Sequence, residues 1–418
     1  MQKQTAKKEE RMCFFWEKGA LFVRELKKLE LFFGVSVSVI FLMSCGKAST
    51  GKSGLVEIDV SIQYPVKELC LQDIAKVEYI PLETNDNTLM RSWAQIVHVS
   101  DDYIIASNTS DGDVFVFNGK GKSKISFNHK GQGPMHYNHI QSIAFDEKAK
   151  EIFIFDRFSV HPQFLVYAEN GDYKRTLACP SDFLARDVFD FDEATLLVYD
   201  DYGLNQDSYS PKPYLFISKK DGRVVDTLNI FVPVRVSNRV ILEVEVNGEK
   251  ALAPLTLSIP NNCSYGKNFL IADWSSDTIY RLTPQKELLP MIVRTPPVQN
   301  SDPKIVISNG LATDQFILFG KALFDFEMVK KSRTFPSIDL IYDFKTGQIN
   351  EYKLINKDFE SLNVSFRSTR TPENTGVDLL DVGRLFEADE AGKIKGELKQ
   401  LLKSLDEEDN PILMKVKF

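Results

Sequence analysis

Three histidines, a lysine and two glycines lie close together in the stretch FNHKGQGPMHYNHI, residues 127–140. Two chemistries could use this composition. A glycine-rich loop can wrap its amides around a phosphate, and histidines can bind a metal ion. A phosphate loop lies between a strand and a helix, and no helical periodicity follows Pro134. A metal site needs ligands that converge, whereas His136 and His139 are three residues apart and point to opposite faces of an extended segment.

The same stretch fits a turn between two strands. Gly131 and Gly133 allow either a positive φ or a close approach of another group to the backbone, and Pro134 sets the direction of the chain that follows. No acidic or cysteine ligand lies close by in the sequence to complete a metal site. We therefore expect a structural turn here, and neither a metal ion nor a cofactor.

The N-terminal segment has the parts of a secretory signal. Basic residues precede an apolar run from Leu31 to Met43, and Cys45 follows. The run has 13 residues, which is too short to span a bilayer but suits a signal-peptide core. The sequence LMSCG around Cys45 resembles a bacterial lipobox. The alternative is a buried apolar helix with an incidental cysteine.

This pattern predicts three processing and tethering features. Residues 1–44 are a lipoprotein signal peptide, Cys45 becomes the acylated N-terminus, and residues 45–54 form a flexible tether. Residues 55–418 then form the folded body. Without residues 1–44 the chain has 43 Lys and Arg against 53 Asp and Glu. Nucleic-acid binding is excluded because such an acidic body repels a phosphate backbone.

The elements that position these residues are short β-rich runs separated by polar turns, which indicates an all-β protein. One unit recurs at 101–127, 151–177 and 267–293, and longer copies occupy 194–228 and 314–354. Units of this length with four strands are typical of β-propeller blades. We expect five blades, at 94–128, 137–178, 183–230, 255–295 and 305–356.

A sixth blade closes the ring with strands from both termini, residues 74–82 and 410–418. Closure removes the exposed sheet edges that an open array would leave. One amphipathic helix is predicted over 387–409, with apolar residues at helical spacing. These residues are Ile394, Leu398, Leu401, Leu402 and Leu405.

The unit resembles NHL-type propeller repeats, and the whole chain is similar to the six-bladed β-propeller lipoproteins of Bacteroidetes. The resemblance rests on VEYIPLET after the tether, on GQGP followed by an aromatic residue and an isoleucine, and on the closing EEDNPILMKVKF. That family has Gly-Glu-Tyr after the glycine-proline pair, where this chain has Met135, His136 and Tyr137. The resemblance implies the fold and the cell envelope, and it assigns no reaction.

In such a propeller, the passages between blades and the links from second to third strands open on one face. A polar residue begins these links in four copies, and glycine takes its place in the fifth: Asn108, Asp156, Asp200, Asp273 and Gly320. A short carboxylate can accept hydrogen bonds from turn amides, so a structural role is the leading interpretation for Asp156 and Asp273.

Neighbours of these polar residues are better candidates for ligand contact. Trp274 could stack on a sugar or an aromatic group, and Arg157 could bind a carboxylate. Long insertions at Tyr202–Pro213 and Lys321–Pro336 fall in the same links, and inserted loops on a rigid scaffold often bind ligands. The full set of candidates is Arg157, Trp274, His136, Tyr137, Lys321 and Tyr202; each of them could instead be a packing or solvated residue.

Three classes of function fit the chain. The first is a binding or scaffolding lipoprotein for a glycan, a peptide or an envelope protein, which we favour. The second is a hydrolase or lyase acting at the central channel, although no local catalytic motif is visible. The third is a structural subunit of an envelope assembly. Lys47 follows the lipobox, whereas surface-exported members of the resembled family carry acidic residues there. We therefore expect the periplasmic side of the outer membrane, with surface display as the alternative.

Overall fold

The computed structural model describes residues 55–418, apart from residues 160, 181–182, 201–211, 231, 233, 237–238, 247–248, 257–260, 333, 361, 363, 365 and 367–369. The predicted signal peptide, the lipidation site Cys45 and the tether lie outside these residues. The described chain forms six blades arranged in a ring, which confirms the predicted six-bladed β-propeller.

Three strands and a short helix precede the first blade in the chain. They are β1 (Val56–Asp59), β2 (Val66–Cys70), α1 (Leu71–Ile74) and β3 (Lys76–Pro81). Each of the three strands joins the sheet of a blade formed much later in the chain. The N-terminal segment therefore contributes to blades 4, 5 and 6.

Blades 1, 2 and 3 are antiparallel sheets whose four strands pair in chain order. Blade 1 contains β4 (Gln95–Val99), β5 (Tyr103–Asn108), β6 (Asp113–Asn118) and β7 (Ser123–Asn128). Blade 2 contains β8 (Ser142–Asp146), β9 (Glu151–Asp156), β10 (Gln163–Ala168) and β11 (Tyr173–Ala178). Blade 3 contains β12 (Ala185–Asp190), β13 (Thr195–Asp200), β14 (Tyr214–Ser218) and β15 (Val224–Thr227).

A two-stranded hairpin that the sequence analysis did not predict follows blade 3. It consists of β16 (Arg239–Val246) and β17 (Glu249–Thr256). Blade 4, predicted to start at residue 255, starts after this hairpin. It contains β18 (Asn262–Tyr265), β19 (Asn268–Ile271), β20 (Thr278–Leu282) and β21 (Leu288–Thr295).

Blade 5 has longer strands and carries a helix in its second-to-third link. Its elements are β22 (Lys304–Ala312), β23 (Phe316–Phe324), α2 (Phe326–Ser332), β24 (Ser337–Asp343) and β25 (Gln348–Ile355). Strands β1 and β2 pair in parallel with the outer strands of blades 4 and 5, β21 and β25, so both sheets have five strands.

Blade 6 closes the ring with strands from both termini, as predicted. Strand β27 (Ile412–Lys417) pairs antiparallel with β3, with Leu413 opposite Ile80. The structure adds β26 (Thr375–Leu380) on the other side of β27. The C-terminal helical segment differs from the single helix expected. It forms two helices, α3 (Val382–Glu390) and α4 (Gly396–Leu402). Gly392, after α3, and Gly396, at the start of α4, adopt positive φ, which interrupts the helix.

The core lies between neighbouring blades, because the middle strands are covered on both sides. Every residue of β5, β9 and β13 is buried. Strands buried on both faces read as continuous apolar runs, such as IFIF in β9. The outer strand β7 is only half-buried.

The strand order of blades 1 to 5 defines two ends. The passages between blades and the second-to-third links lie at one end, called here the loop-rich face, and the hairpins lie at the other. The first strands of blades 1, 2 and 3 face the central channel, where β8 packs against both β4 and β12. A residue at the start of a first strand therefore lies near the loop-rich face.

Candidate functional site

The carboxylates that begin the second-to-third links bind backbone amides. Asp156 Oδ1 accepts a hydrogen bond from the Phe158 amide at 2.9 Å, which is Asx-turn geometry, and its Oδ2 accepts one from the Asn138 amide at 2.8 Å. Asp200 Oδ1 accepts one from the Leu184 amide at 3.0 Å. Asn138 and Leu184 lie in the passages that enter the same blades. Each carboxylate therefore holds a link against a passage.

The other two polar link residues make comparable contacts. Asn108 Oδ1 accepts a hydrogen bond from the Arg91 amide at 3.2 Å. Asp273 Oδ1 accepts one from the Ser275 amide at 2.8 Å, while its Oδ2 accepts one from the Tyr199 hydroxyl of blade 3 at 3.2 Å. All of these side chains are buried in the fold and position loops.

The glycine-proline turn holds its glycines by close approach. Neither Gly131 nor Gly133 has a positive φ. The ring of His136 lies against both glycines, so a Cβ would come within 2.9 Å of Nδ1 at Gly131 and within 2.8 Å at Gly133. The exposed Pro134 lies between Gly133 and His136. The turn is compact because these two positions lack side chains.

Tyr137, a predicted ligand contact, is fully buried. Its hydroxyl donates a hydrogen bond to the Gly112 carbonyl at 2.6 Å and accepts one from the His129 amide at 2.9 Å. Burial raises its pKa well above the ordinary value of a phenol. Tyr137 therefore ties the turn to blade 1 and is not available to a ligand, whereas the neighbouring His136 is exposed.

The three histidines of the stretch do not converge on one point. His129 Nε2 is hydrogen-bonded to the Gly171 carbonyl at 2.8 Å, and its ring stacks on Tyr167. His139 lies edge-on to Phe158, and burial lowers its pKa. Among the described residues, no group of three His, Cys, Asp or Glu side chains is arranged to hold a metal ion.

The two leading ligand candidates differ in exposure. Arg157 is exposed, and its guanidinium lies 5.9 Å from the ring centre of Phe158. Trp274 is only 3% exposed and packs against Val298 and Val306. The guanidinium of Arg186 lies 4.8 Å from its ring centre. Trp274 therefore offers no open ring for stacking, because the fifth-blade strands and Arg186 already contact it.

Strand β23 runs further than the sequence suggested. Gly320 and Lys321, expected at the start of a link, lie inside this strand opposite Ser308 and Ile307 of β22. Lys321 Nζ donates a hydrogen bond to the Ile62 carbonyl at 3.0 Å, and burial lowers its pKa. Tyr202, the remaining candidate, lies outside the described residues.

A polar cavity of about 170 Å³ lies in the channel between the first three blades. The wall of this cavity comes from the starts of β4, β8 and β12, and from Thr109 and Arg370. Polar and charged side chains of this wall include Gln95, Thr109, Gln141, Arg186, Asp187 and Arg370. Thr109 follows Asn108 and is one of the link neighbours that the sequence favoured for ligand contact, whereas the other five residues were not singled out.

Arg370 enters this cavity from the segment that precedes blade 6. Its Nη1 donates a hydrogen bond to the Ile143 carbonyl at 2.8 Å, and its guanidinium lies 4.8 Å from the ring centre of Phe189. Its Nε is buried and has no partner within the described part of the chain. Burial lowers the pKa of Arg370 to about 10, while the carboxylates of Asp190 and Asp187 act in the opposite direction.

Buried polar groups without partners continue from the cavity toward blades 4 and 5. The carboxylate of Asp187 accepts a hydrogen bond from the side-chain amide of Asn262 at 3.2 Å. Next to it, both side-chain polar atoms of Asn261 have no partner among the described residues, and neither do Asn309 Oδ1 and Trp274 Nε1. Buried polar atoms are rarely left unsatisfied, so water or a ligand is expected here.

A larger cavity of about 530 Å³ lies between β2 and the hairpin ends of blade 5. Its polar rim is occupied by local contacts. Asp343 accepts hydrogen bonds from the Lys345 and Thr346 amides and lies 3.8 Å from Lys67 Nζ. This cavity therefore lacks the unsatisfied groups that mark the channel.

The sequence carried little signal for the channel residues. Asn261 and Asn262 form an adjacent pair before an apolar strand, which also fits an ordinary turn. Arg370 lies in a polar stretch with no periodicity. Its position became informative only when the ring placed it against blades 1, 2 and 3.

No helix in the described part of the chain is both long and apolar enough to cross a membrane. A comparison with curated proteins finds no match. Among solved structures, the chain is similar to a Bacteroides fragilis protein described as exported. The TM-score is 0.58 and the identity 16%, over 84% of this chain and 99% of that one. This similarity bears on the fold.

Two further structures are more distant. A member of the DUF4221 family from Bacteroides vulgatus has a TM-score of 0.43 and 8% identity, over 82% of this chain and 96% of that one. Virginiamycin B lyase from Staphylococcus aureus has a TM-score of 0.37 and 11% identity, over 82% and 99%. Residues 55–417 match the family model described as domain of unknown function DUF4934. The chain therefore belongs to the DUF4934 family.

Proposed function

We propose that this protein is a lipid-anchored binding module of the cell envelope, and that its ligand enters the channel from the loop-rich face. The observation that carries the proposal is the polar channel cavity together with the unpartnered buried atoms of Asn261, Asn309 and Trp274. Unsatisfied buried groups cost stability, so such a cluster beside an open cavity favours a site that a ligand completes. The ligand classes considered are a glycan, a peptide or an envelope protein.

Export and anchoring have separate support. The similar Bacteroides fragilis protein is described as exported. The N-terminal sequence of this chain has the basic region, the apolar core and the lipobox-like LMSCG. Acylation of Cys45 would hold the propeller at a membrane, with the periplasmic face of the outer membrane as the proposed location. A tether of this kind raises the local concentration near a membrane partner.

A ligand screen tests the binding proposal. The chain without its predicted signal peptide and lipidated cysteine, residues 46–418, contains the described propeller and can be screened by thermal shift against glycans, peptides and divalent metals. A ligand at about 100 times its Kd stabilises the fold by about 2.7 kcal/mol, a measurable rise in Tm. Trp274→Phe removes the unpartnered Nε1–H and should reduce this rise. Trp93→Phe is the matched control, since Trp93 is 58% exposed.

Three results would each revise a different part of the proposal. If no compound shifts the Tm, the channel is not a small-ligand site and a protein partner must be sought by pull-down from envelope extracts. If a binding compound is consumed during incubation, the protein is a hydrolase or lyase. A shift that Trp93→Phe abolishes as completely as Trp274→Phe would place the ligand outside the channel.

Anchoring is tested on the full chain expressed in a Bacteroides host. Cys45→Ser should abolish incorporation of labelled palmitate and move the protein out of the membrane fraction. Cys70→Ser is the control, because Cys70 lies in the propeller body. Unchanged labelling of Cys45→Ser would refute the lipidation site.

A further inference from the structure

We infer that the channel cavity binds a carboxylate group, held by the guanidinium of Arg370. This inference rests on the proposed function, since it names the ligand class for the same channel. The evidence is that the partly buried guanidinium of Arg370 borders the cavity with no carboxylate of the described residues at ion-pair distance.

Arg370 has few partners among the described residues. The described residues provide one hydrogen-bond acceptor, the Ile143 carbonyl, and one aromatic face, Phe189. No carboxylate of the described residues lies within ion-pair distance of the Arg370 guanidinium. Its Nε–H is buried without an acceptor. A guanidinium presents five donors, and only Nη1 of Arg370 has an acceptor among the described residues, so its remaining terminal N–H groups are left for a ligand.

The carboxylates near Arg370 have other partners. Asp190 and Asp146 form an ion-pair cluster with the buried ammonium of Lys219. Asp187 accepts a hydrogen bond from the side-chain amide of Asn262. These carboxylates influence Arg370 from a distance without neutralising it directly. A buried cation that lacks a close counter-ion is costly, and a bound anion would remove that cost.

The channel cavity is small, and its wall carries charges of both signs. Two guanidiniums, of Arg186 and Arg370, and one carboxylate, of Asp187, line the cavity. A singly charged carboxylate brings less negative charge close to Asp187 and Asp190 than a doubly charged phosphate would. A volume of about 170 Å³ is large enough for about five to six water molecules, so it admits the end of a chain and not a long segment.

The hydrogen-bond donors of the cavity wall suit a carboxylate. A guanidinium can hold both oxygens of a carboxylate with two parallel hydrogen bonds. The amide side chains of Gln95 and Gln141 also line the cavity, and they can donate to a carboxylate oxygen or accept from neighbouring hydroxyl groups. The C-terminal residue of a peptide and an acidic sugar both present this chemistry.

The test is calorimetric titration of residues 46–418 with matched acid and neutral probes. The probes are dialanine and its C-terminal amide, glucuronate and glucose, and inorganic phosphate. A carboxylate probe should bind at least tenfold more tightly than its neutral partner. The better of the two acid probes identifies the source of the carboxylate as peptide or glycan.

Two arginine variants locate the site. Arg370→Gln should lower the affinity for the acid probe at least tenfold, whereas Arg370→Lys should retain part of it. Arg223→Gln is the matched control, an exposed arginine in a hairpin away from the channel that should bind like the unaltered chain. Without ligand, Arg370→Gln should be at least as resistant to urea as the unaltered chain, which shows that lost binding is not lost folding.

Several outcomes would overturn the inference. Equal binding of acid and neutral probes, stronger binding of phosphate, or equal losses in Arg370→Gln and Arg223→Gln would each do so. Binding of neutral glycans that Arg370→Gln leaves unchanged would refute the carboxylate site and leave the binding module intact. If neither these probes nor the ligand screen yields any binding, and pull-downs from envelope extracts retain no partner, the proposed function fails as well.

Discussion

At the residue scale, the position of a charged group in the ring determines whether it stabilises the fold or is available to a ligand. Glu151 accepts two hydrogen bonds from Arg175, at 2.8 and 2.7 Å, and also contacts Lys174. Arg370 has no such counter-ion among the described residues. Both side chains are largely buried, yet only Glu151 has its charge neutralised by neighbours.

The ion pair of Glu151 predicts a pH dependence of stability. Hydrogen bonds from Arg175 lower the pKa of Glu151 from 4.5 to about 2. Since the pKa is lower in the folded state, the stabilisation is complete above pH 4.5 and is lost as the pH falls toward 2. Glu151→Gln should lower the free energy of unfolding at pH 7 by about 1–2 kcal/mol, after allowance for solvent screening, and by much less at pH 2.5.

Urea denaturation at both pH values measures this difference. Glu193→Gln is the matched control, because Glu193 pairs with Lys148 at a site where both side chains are 80% exposed. It should have no measurable effect at either pH. A loss for Glu151→Gln that is equal at pH 7 and pH 2.5 would show that the pair does not stabilise through its charge.

At the element scale, links and passages of the loop-rich face are held together by buried acceptors. Asp156 bonds the link after β9 and the passage before β8, and Asp200 reaches the passage before β12. Blade 5 instead extends its strands and inserts α2, which packs against the hairpin through Val329, Val240 and Leu242. In blades 2 and 3, buried carboxylates therefore hold the passages that lead into the first strands, next to the channel cavity.

Replacement of Asp156 tests this tie. Asp156→Ala leaves the amides of Asn138 and Phe158 without their acceptor, and should destabilise the protein by about 2–4 kcal/mol. Asp156→Asn keeps one acceptor oxygen and should cost less. Asp172→Ala is the control at an exposed hairpin. Hydrogen exchange should show faster exchange at residues 138 and 158 in Asp156→Ala, and unchanged exchange there would refute the tie.

At the scale of the whole molecule, stability depends on closure of the ring. Blade 6 brings together β26 and β27 from the C-terminal part of the chain and β3, which lies hundreds of residues earlier. The side chains of Leu413 and Ile80 pack with Val99 and Phe117 of blade 1. Without β27, both of its neighbours would expose unpaired edges, and exposed edges favour aggregation.

Truncation after Asp409 tests closure. The shortened chain lacks β27 and should lose cooperative unfolding and aggregate, as seen by circular dichroism and light scattering. Leu413→Ala is a milder change at a fully buried position and should cost about 2–5 kcal/mol. Lys417→Ala, at an exposed position of the same strand, should unfold like the unaltered chain. A truncated chain that stays monomeric and unfolds cooperatively would show that closure is not required.

The sequence by itself determined the blades, because strand periodicity and turn composition are local properties. The continuous apolar runs of β9 and β13, the recurring polar residue at each link, and the paired terminal strands all followed from such patterns. The family resemblance pointed to the same fold. Local patterns also missed or misplaced some features: the hairpin of β16 and β17 was not predicted, and Gly392 and Gly396 divided the helix predicted over 387–409.

Only the tertiary structure decided which polar residues are candidates for a site. Trp274 and Tyr137 carry side chains suited to ligand contact, yet the packing of neighbouring blades buries them. Arg370 lies in an unremarkable stretch, yet the ring places its guanidinium against blades 1, 2 and 3. The physical reason is that burial and counter-ions depend on segments far apart in the chain, which no local pattern records.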